Sequence, residues 1–210
     1  MPVPSQLDHL VFAAPDLRDG VARLESLFGA RALPGGTHPA WGTRNALFPL
    51  SPTTYLEVIG PDPETEPPPR PEIFGLASLT APRLVTWAAR GRDLAALIDR
   101  ARTHGIELGP ALPGRRLRPD GTALAWELTD PLQPRDDGLL PFFIDWLGAT
   151  HPGAMAPAAL ELVDMSGAHP DPDRVRNDLW VLGLDLPIGL GPGPALFATL
   201  VTPRGTVTLT

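Results

Sequence analysis

The chain has 210 residues, a net charge of −7, no cysteine, and 17 basic residues that are all arginine. At about 150 residues per domain, this length predicts one to two domains, and the ordinary apolar content favours a globular fold. The missing residue types exclude disulfides, thiolate metal sites, cysteine nucleophiles and lysine Schiff bases. The acidic charge argues against a nucleic-acid partner. Because no apolar run reaches the ~18 residues of a membrane span and no leader-like segment opens the chain, we expect a cytoplasmic protein without a membrane partner.

Three segments carry the same helix start and stop signals. In each, an aspartate suited to an N-cap precedes apolar residues at helical spacing, and a glycine suited to a C-cap follows them. The aspartates lie 77 and 78 residues apart, and such a period indicates repeated supersecondary units. The pairs of cap residues are Asp16 with Gly29, Asp93 with Gly105, and Asp171 with Gly183.

Strand-like runs surround each predicted helix, one before it and two or three after it. The chain therefore reads as three βαβββ modules, at about residues 5–60, 82–148 and 158–210, within a single α+β domain. The proline-rich stretch 61–81 is predicted to be an extended crossover between the first two modules. The strand-like runs are residues 7–13, 45–50, 55–59, 84–90, 123–128, 142–147, 160–166, 196–201 and 206–209.

Short sequence matches between the first two modules support the repeat. Gly42-Thr43 recurs as Gly121-Thr122, and residues 56–60 recur as residues 144–148. The second match places Asp145 in the register of Glu57.

The paired modules resemble the glyoxalase-like branch of the vicinal oxygen chelate superfamily. The resemblance covers essentially the whole chain and implies that the mixed sheets curl into an open cup with helices outside. It also implies that the inner face of the cup holds a divalent metal, with ligands from the first and last strands of each module. The segments that carry it are residues 7–11, 38–39, 42–47, 55–60, 81–87, 142–146 and 151–152.

Carried over by position, the family's ligand pattern gives His9, Glu57 and Asp145, while Thr86 occupies the second histidine position. One histidine and two carboxylates suit an oxygen-preferring ion among Mn, Fe, Ni, Zn and Mg, and leave positions open for a substrate. Alternation predicts that His9 and Glu57 face each other inside the cup. The alternative is a structural pair in which His9 hydrogen-bonds Glu57 in the core.

Further candidates surround this set. His38 and His151, each before a proline, are predicted at the rim as general bases or extra ligands, with surface loop histidines as the alternative. Glu57 is a second candidate for moving the proton. The candidates for substrate binding are Arg44, Asn45, Trp87 and Trp146, the tryptophans having a core role as the alternative.

Two functions follow from the resemblance. The first is a metal-assisted lyase, isomerase or dioxygenase acting on a small oxygen-rich substrate, and the second is a metal-free protein that sequesters a drug or metabolite. No nucleotide cofactor is expected, because the glycine-rich stretch 189–194 lacks dinucleotide-binding spacing and its prolines remove N–H donors. An odd number of modules leaves one sheet edge or face without an internal partner, which favours a homodimer.

Overall fold

The order strand, helix, strand, strand, strand occurs three times along the chain. Each helix begins as predicted, because the side chains of Asp16, Asp93 and Asp171 accept a hydrogen bond from the backbone N–H three residues later. The helices are α1 (Leu17–Phe28), α2 (Leu94–Thr103) and α3 (Pro172–Val181). The computed structural model describes residues 3–64, 73–117, 121, 123–133 and 135–210.

The first two modules close one eight-stranded barrel, in the order β1-β4-β3-β2-β6-β7-β8-β5. In both modules the first strand pairs with the last strand in parallel, and β1 pairs with β5 antiparallel to join the two halves. The strands of the first module are β1 (Leu7–Ala13), β2 (Leu33–His38), β3 (Thr43–Ser51) and β4 (Thr54–Pro61). Those of the second module are β5 (Arg83–Arg90), β6 (Ala111–Leu117), β7 (Ala123–Thr129) and β8 (Phe142–Asp145).

The predicted α+β fold of curled βαβββ modules is confirmed, and the predicted open cup is closed at the join between β2 and β6. Thr37 pairs with Leu117 at this join. The approach is close, because a Cβ added at Gly36 would lie 2.0 Å from the Leu117 carbonyl oxygen. Glycine is therefore the residue that lets the two strands meet at this point.

The third module repeats the element order with a different strand pairing. Its sheet runs β10-β9-β11-β12, so that its first strand pairs in parallel with its second strand and antiparallel with its third. The sheet stays open and does not enter the barrel. Its strands are β9 (Glu161–His169), β10 (Ile188–Leu190), β11 (Ala195–Thr202) and β12 (Gly205–Leu209).

Apolar side chains form two separate clusters. The larger cluster is shared by all three modules and contains Leu24, Trp87, Met165 and Leu196, whereas the smaller lies inside the barrel around residues such as Phe142. An eight-stranded barrel is just wide enough for its own side chains to fill it. The division of the chain into three modules of a single domain stays a prediction.

Several predicted segments differ in detail from the structure. Strands β2, β6 and β10 are not among the predicted strands, since the first two contain a proline followed by glycine, which are rare inside strands. The predicted crossover falls partly on residues 65–72, which lie outside the described residues, and a short 3-10 segment covers Ile73–Ser78. In the part of the chain that the structure describes, no helix combines the length and apolar character needed to cross a membrane.

Candidate functional site

Side chains alternate between the two faces of the sheet along β1 and β4, and this alternation directs a histidine and a glutamate toward the barrel interior. The strands pair so that Tyr55 lies opposite His9 and Glu57 lies opposite Val11. His9 Nε2 is 3.7 Å from Glu57 Oε2, and both side chains are buried. The His9 ring also stacks on Tyr55, with ring centroids 4.6 Å apart. The structure thus brings together His9 and Glu57, as the alternation of the two strands predicts.

A β-bulge places a second carboxylate behind His9. The pairing of β1 with β5 shifts register between Leu7 and His9, and a bulge of this kind re-aims a side chain. Asp8 Oδ1 consequently lies 2.7 Å from the Nδ1 of its own neighbour His9. Its Oδ2 accepts a hydrogen bond from the Trp146 indole at 3.0 Å and lies 3.3 Å from His151 Nε2. Asp8 is fully buried at the centre of this network.

The two histidines keep Asp8 ionised despite its burial. Burial raises the pKa of this carboxyl, but His151 and His9, whose ring nitrogens face its oxygens, outweigh burial and lower the pKa to about 2. Asp8 is therefore a fixed negative charge at neutral pH, and its carboxylate can accept hydrogen bonds but cannot donate one.

The hydrogen bonds determine which nitrogen of each histidine carries the proton. His151 Nδ1 accepts from the Gly153 N–H at 3.0 Å, so the proton of the neutral ring is on Nε2, facing Asp8. His9 must use Nδ1 to donate to Asp8, because an ionised carboxylate has no proton to give. The Nε2 of neutral His9 is then an unprotonated nitrogen that points toward Glu57. An imidazole oriented by a carboxylate in this way is suited to act as a base.

A second chain of contacts anchors Glu57 from the other side. Glu57 Oε1 accepts a hydrogen bond from Asn45 Nδ2 at 2.5 Å. Asn45 Oδ1 accepts from the Gly36 N–H at 2.9 Å and, more weakly, from Arg116 Nη1 at 3.5 Å. A Cβ at Gly35 would lie 1.9 Å from Asn45 Oδ1, so the missing side chain at Gly35 makes room for Asn45. Arg116, 2% exposed, adds a positive charge to the same cavity.

His38 ends β2 inside the barrel instead of lying on a rim loop. It is buried, and its Nδ1 is 3.1 Å from Thr43 Oγ1. Burial lowers the pKa of His38 to about 4; Glu57 opposes this change and Arg116 adds to it. His38 is therefore neutral at pH 7 and can donate or accept one hydrogen bond at the cavity wall.

The predicted third metal ligand, Asp145, does not reach the other two, and its position corrects the predicted set. On β8, Phe142 and Ile144 line the cavity, so Asp145 faces the outside, where its Oδ1 accepts from the Leu147 N–H at 2.9 Å. Val11 and Ala88 lie at equal distances before their helix caps; Val11 pairs with Glu57 and Ala88 with Phe142. The structural counterpart of Glu57 is therefore Phe142, three positions before the residue that the sequence match selected.

The remaining side chains do not complete a metal site. The hydroxyl of Thr86, at the second histidine position, donates to the Gly138 carbonyl at 3.4 Å. Among the described residues no group of three or more histidine, cysteine, aspartate or glutamate side chains is placed to hold a metal ion. Since protein-held divalent metals usually take three or more such ligands, the donor set inside the barrel does not fit one.

The predicted substrate-binding residues divide between the cavity and other places. Asn45 and Trp146 line the cavity together with His9, His38 and Glu57. Arg44 lies on the outward face of β3 beside α1, because it alternates with Thr43 and Asn45. Trp87 packs in the larger apolar cluster outside the barrel, where its indole donates to the Leu139 carbonyl at 3.0 Å. His151 stands behind the cavity wall and contacts Asp8.

A family model described as a glyoxalase-like domain matches residues 7–182. The chain belongs to this glyoxalase-like family. A solved structure of a hypothetical protein from Staphylococcus aureus is 12% identical, with a TM-score of 0.63 and coverage of 98% of this chain and 84% of that chain. No curated protein sequence matches the chain.

Two further solved structures resemble this glyoxalase-like protein less closely. A methylmalonyl-CoA epimerase in complex with methylmalonyl-CoA and NH4+ is 20% identical, with a TM-score of 0.49 and coverage of 71% of this chain and 100% of that chain. A mutant of 4-hydroxymandelate synthase from Streptomyces coelicolor is 17% identical, with a TM-score of 0.48 and coverage of 99% of this chain and 62% of that chain.

The cavity of this glyoxalase-like protein is small and two-sided. Its volume is about 50 Å³, which admits a few water-sized groups. One side is polar and comes mostly from the first module, and the other is apolar and comes mostly from the second. The polar side contains His9, His38, Asn45, Glu57 and Arg116, and the apolar side contains Trp126, Leu128, Phe142 and Ile144.

Two residues of the site were missed by the sequence analysis. Asp8 was not considered, because strict alternation places it on the opposite face from His9 and a bulge leaves no clear sequence signature. Arg116 was not considered because β6 was not recognised. The Leu-Pro-Gly sequence at residues 33–35 recurs at residues 112–114, and this match would have indicated β6 as the counterpart of β2.

Proposed function

We propose that this glyoxalase-like protein is an isomerase or lyase that moves a proton on a small molecule bound inside the barrel, with His9 as the base. The observation that carries the proposal is the Asp8–His9 contact of 2.7 Å, which engages Nδ1 of His9 and leaves Nε2 as the ring nitrogen available to a ligand in the cavity that His9 lines. General bases of this kind contribute roughly 10²- to 10⁴-fold to rate.

In the proposed step, a C–H bond next to a carbonyl group of the substrate breaks and its proton passes to His9 Nε2. The electron pair of that bond forms a C=C bond, and the carbonyl π electrons move to oxygen to give an enolate. The resulting imidazolium faces Asp8 through Nδ1 and Glu57 through Nε2. These carboxylates stabilise the charge that appears on His9. In a substrate with a hydroxyl group on the carbon that loses the proton, the hydroxyl proton passes to the enolate oxygen and the imidazolium proton returns to the former carbonyl carbon. The carbonyl group thereby moves to the neighbouring carbon, which completes an isomerisation.

A metal-assisted reaction was the first function that the sequence suggested. The proposal retains the isomerase or lyase class and assigns no step to a metal, because Asp145 faces outward and the described residues offer too few converging ligands.

The second candidate is a binding protein without catalysis, and the aromatic lining of the cavity favours it. The rings of Trp126 and Trp146 lie 5.3 Å apart, and such surfaces hold apolar ligands well. The cavity of about 50 Å³ is smaller than the ~300 Å³ or more of drug-sized pockets, so this function requires the barrel to widen.

Solvent exchange separates the two candidates. The protein is incubated in D2O with a panel of small 2-oxo acids, 2-hydroxy acids and neutral ketones, and loss of substrate C–H signals is followed by NMR. We expect exchange with at least one compound, reduced at least about 100-fold in His9→Gln. His104→Gln, which changes an exposed histidine at the end of α2, is the control. Binding without exchange would favour the second candidate, and unchanged exchange in His9→Gln would overturn the assignment of the base.

A further inference from the structure

We propose that Arg116 is the receptor for a carboxylate group of the ligand, so that the molecules this site takes are small carboxylic acids. The inference rests on the proposed function for the reaction that follows binding, and it concerns a residue for which that reaction has no other use.

Arg116 is a buried cation with unsatisfied hydrogen-bond donors. Arg116 is 2% exposed, and its Nε and Nη2 have no hydrogen-bond partner within the described ranges. A guanidinium stays protonated at any accessible pH, so burial does not neutralise it. Leaving such a charge with unfilled donors is costly, whereas an anion in the adjoining cavity would satisfy both nitrogens.

The free donors of Arg116 have a geometry that suits a carboxylate. Nε and Nη2 lie on one edge of the planar guanidinium, and this edge matches the two oxygens of a carboxylate in a bidentate arrangement. The remaining nitrogen, Nη1, faces Asn45 Oδ1 at 3.5 Å, and Asn45 in turn donates to Glu57. The free edge is therefore separate from the contact that links Arg116 to the Glu57 network.

Glu57, the alternative counter-charge for Arg116, is engaged by other residues. Its Oε1 is engaged by Asn45 at 2.5 Å, and its Oε2 faces His9 at 3.7 Å. Asn45 thus stands between Arg116 and Glu57, accepting from one and donating to the other. This arrangement keeps the two charges apart and preserves the bidentate edge of Arg116 for another anion.

The size and lining of the cavity restrict the acid. A volume of about 50 Å³ admits a molecule of only a few heavy atoms. His9 lines the same cavity, so an acid anchored at Arg116 would present its remaining atoms to the proposed base. Phe142 and Trp126 form an apolar wall that suits a short carbon chain. Acetate and pyruvate meet these conditions.

The test measures binding of acetate and pyruvate by calorimetry and by thermal shift, with acetamide as the uncharged analogue. We expect both acids to bind and to raise Tm, and acetamide to bind at least 10-fold more weakly. Arg116→Met should weaken acid binding at least 10-fold. Arg115→Met is the matched control, because Arg115 is the exposed neighbour on the same strand and should leave binding unchanged.

Three results would overturn the inference: no binding of either acid to the wild-type protein, equal binding of acetamide, or unchanged acid binding in Arg116→Met. Tighter binding of inorganic phosphate than of either acid would also overturn it, since the anion would then not be a carboxylate. If circular dichroism shows that Arg116→Met does not fold, Arg116→Lys replaces it. That variant retains the charge but lacks the planar edge, so acid affinity should still fall about 10-fold, and unchanged affinity would contradict the inference.

His9→Gln separates this inference from the proposed function. The variant should still bind pyruvate in an Arg116-dependent manner while it loses C–H exchange. Acid binding without exchange in the wild-type protein would overturn the proposed reaction and leave the role of Arg116 intact. C–H exchange on neutral ketones without binding of either acid would overturn the role of Arg116 and leave the proposed reaction intact.

Discussion

The two halves of the barrel share one fold and differ in chemistry. His9, Asn45 and Glu57 line the cavity from the first module. The positions that correspond to them through strand pairing in the second module are Thr86, Leu128 and Phe142. The first copy therefore supplies most of the polar wall and the second copy most of the apolar wall, with Arg116 of β6 as a charged residue from the second copy.

This difference decides what the site can do. A metal centre between two such modules needs ligands from both, and the second module provides a phenylalanine where the first provides a carboxylate. A base with an orienting carboxylate needs only one module, since Asp8 and His9 are neighbours on β1. The asymmetry therefore favours acid–base chemistry and binding over chemistry that depends on a shared ion.

The largest effect on stability is expected from Asp8, the carboxylate that His9, His151 and Trp146 contact. Asp8→Ala removes a fully buried carboxylate that contacts His9, His151 and Trp146, so the free energy of unfolding should fall by about 3–5 kcal/mol. Urea denaturation measures this loss. Asp99→Ala, at an exposed ion pair on α2, should change stability by less than about 0.5 kcal/mol. A loss below about 1 kcal/mol in Asp8→Ala would contradict the network described here.

A somewhat smaller effect on the free energy of unfolding is expected when the pH is lowered. His38 has a folded-state pKa of about 4 against 6.5 in the unfolded chain, so between these values the unfolded state binds the extra proton. Stability should therefore decline as pH falls from 6.5 toward 4, by about 3 kcal/mol in total. His38→Gln should remove most of this decline and His104→Gln should not. Denaturation curves from pH 7 to 4.5 provide the measurement, and equal slopes in all three proteins would argue against a buried neutral His38.

The smallest effects are expected at the outward face of β8. Asp145→Asn keeps the acceptor for the Leu147 N–H and leaves the cavity unchanged, so stability should change by less than about 0.5 kcal/mol and ligand binding should not change. Glu57→Gln, at the inward position of β4, should reduce the rate of C–H exchange measured at the same substrate concentration. If Asp145→Asn reduced exchange as much as Glu57→Gln, Asp145 would belong to the site after all.

Local sequence patterns predicted much of the fold. The predicted strand at residues 7–13 coincides with β1, and Asp16 caps α1 as expected, because capping and alternation depend on residues within one or two turns of the chain. The inward orientation of His9 and Glu57 follows from the same alternation. Strands β2 and β6 were missed, because their Pro-Gly sequences oppose the usual strand preferences and are tolerated at the barrel join.

The sequence by itself thus determined the three helices, most strands, and the proximity of a histidine and a glutamate that point inward from neighbouring strands. Tertiary structure decided the rest, because the register of β8 is set by its pairing with β5, across more than 50 residues of chain. The register of β8 differs by three positions from the register that the sequence match selected. Because three is an odd number, Asp145 lies on the outer face of the strand and Phe142 on the inner face. The bulge beside Asp8 and the meeting of β2 with β6 near Arg116 likewise arise only when the barrel closes.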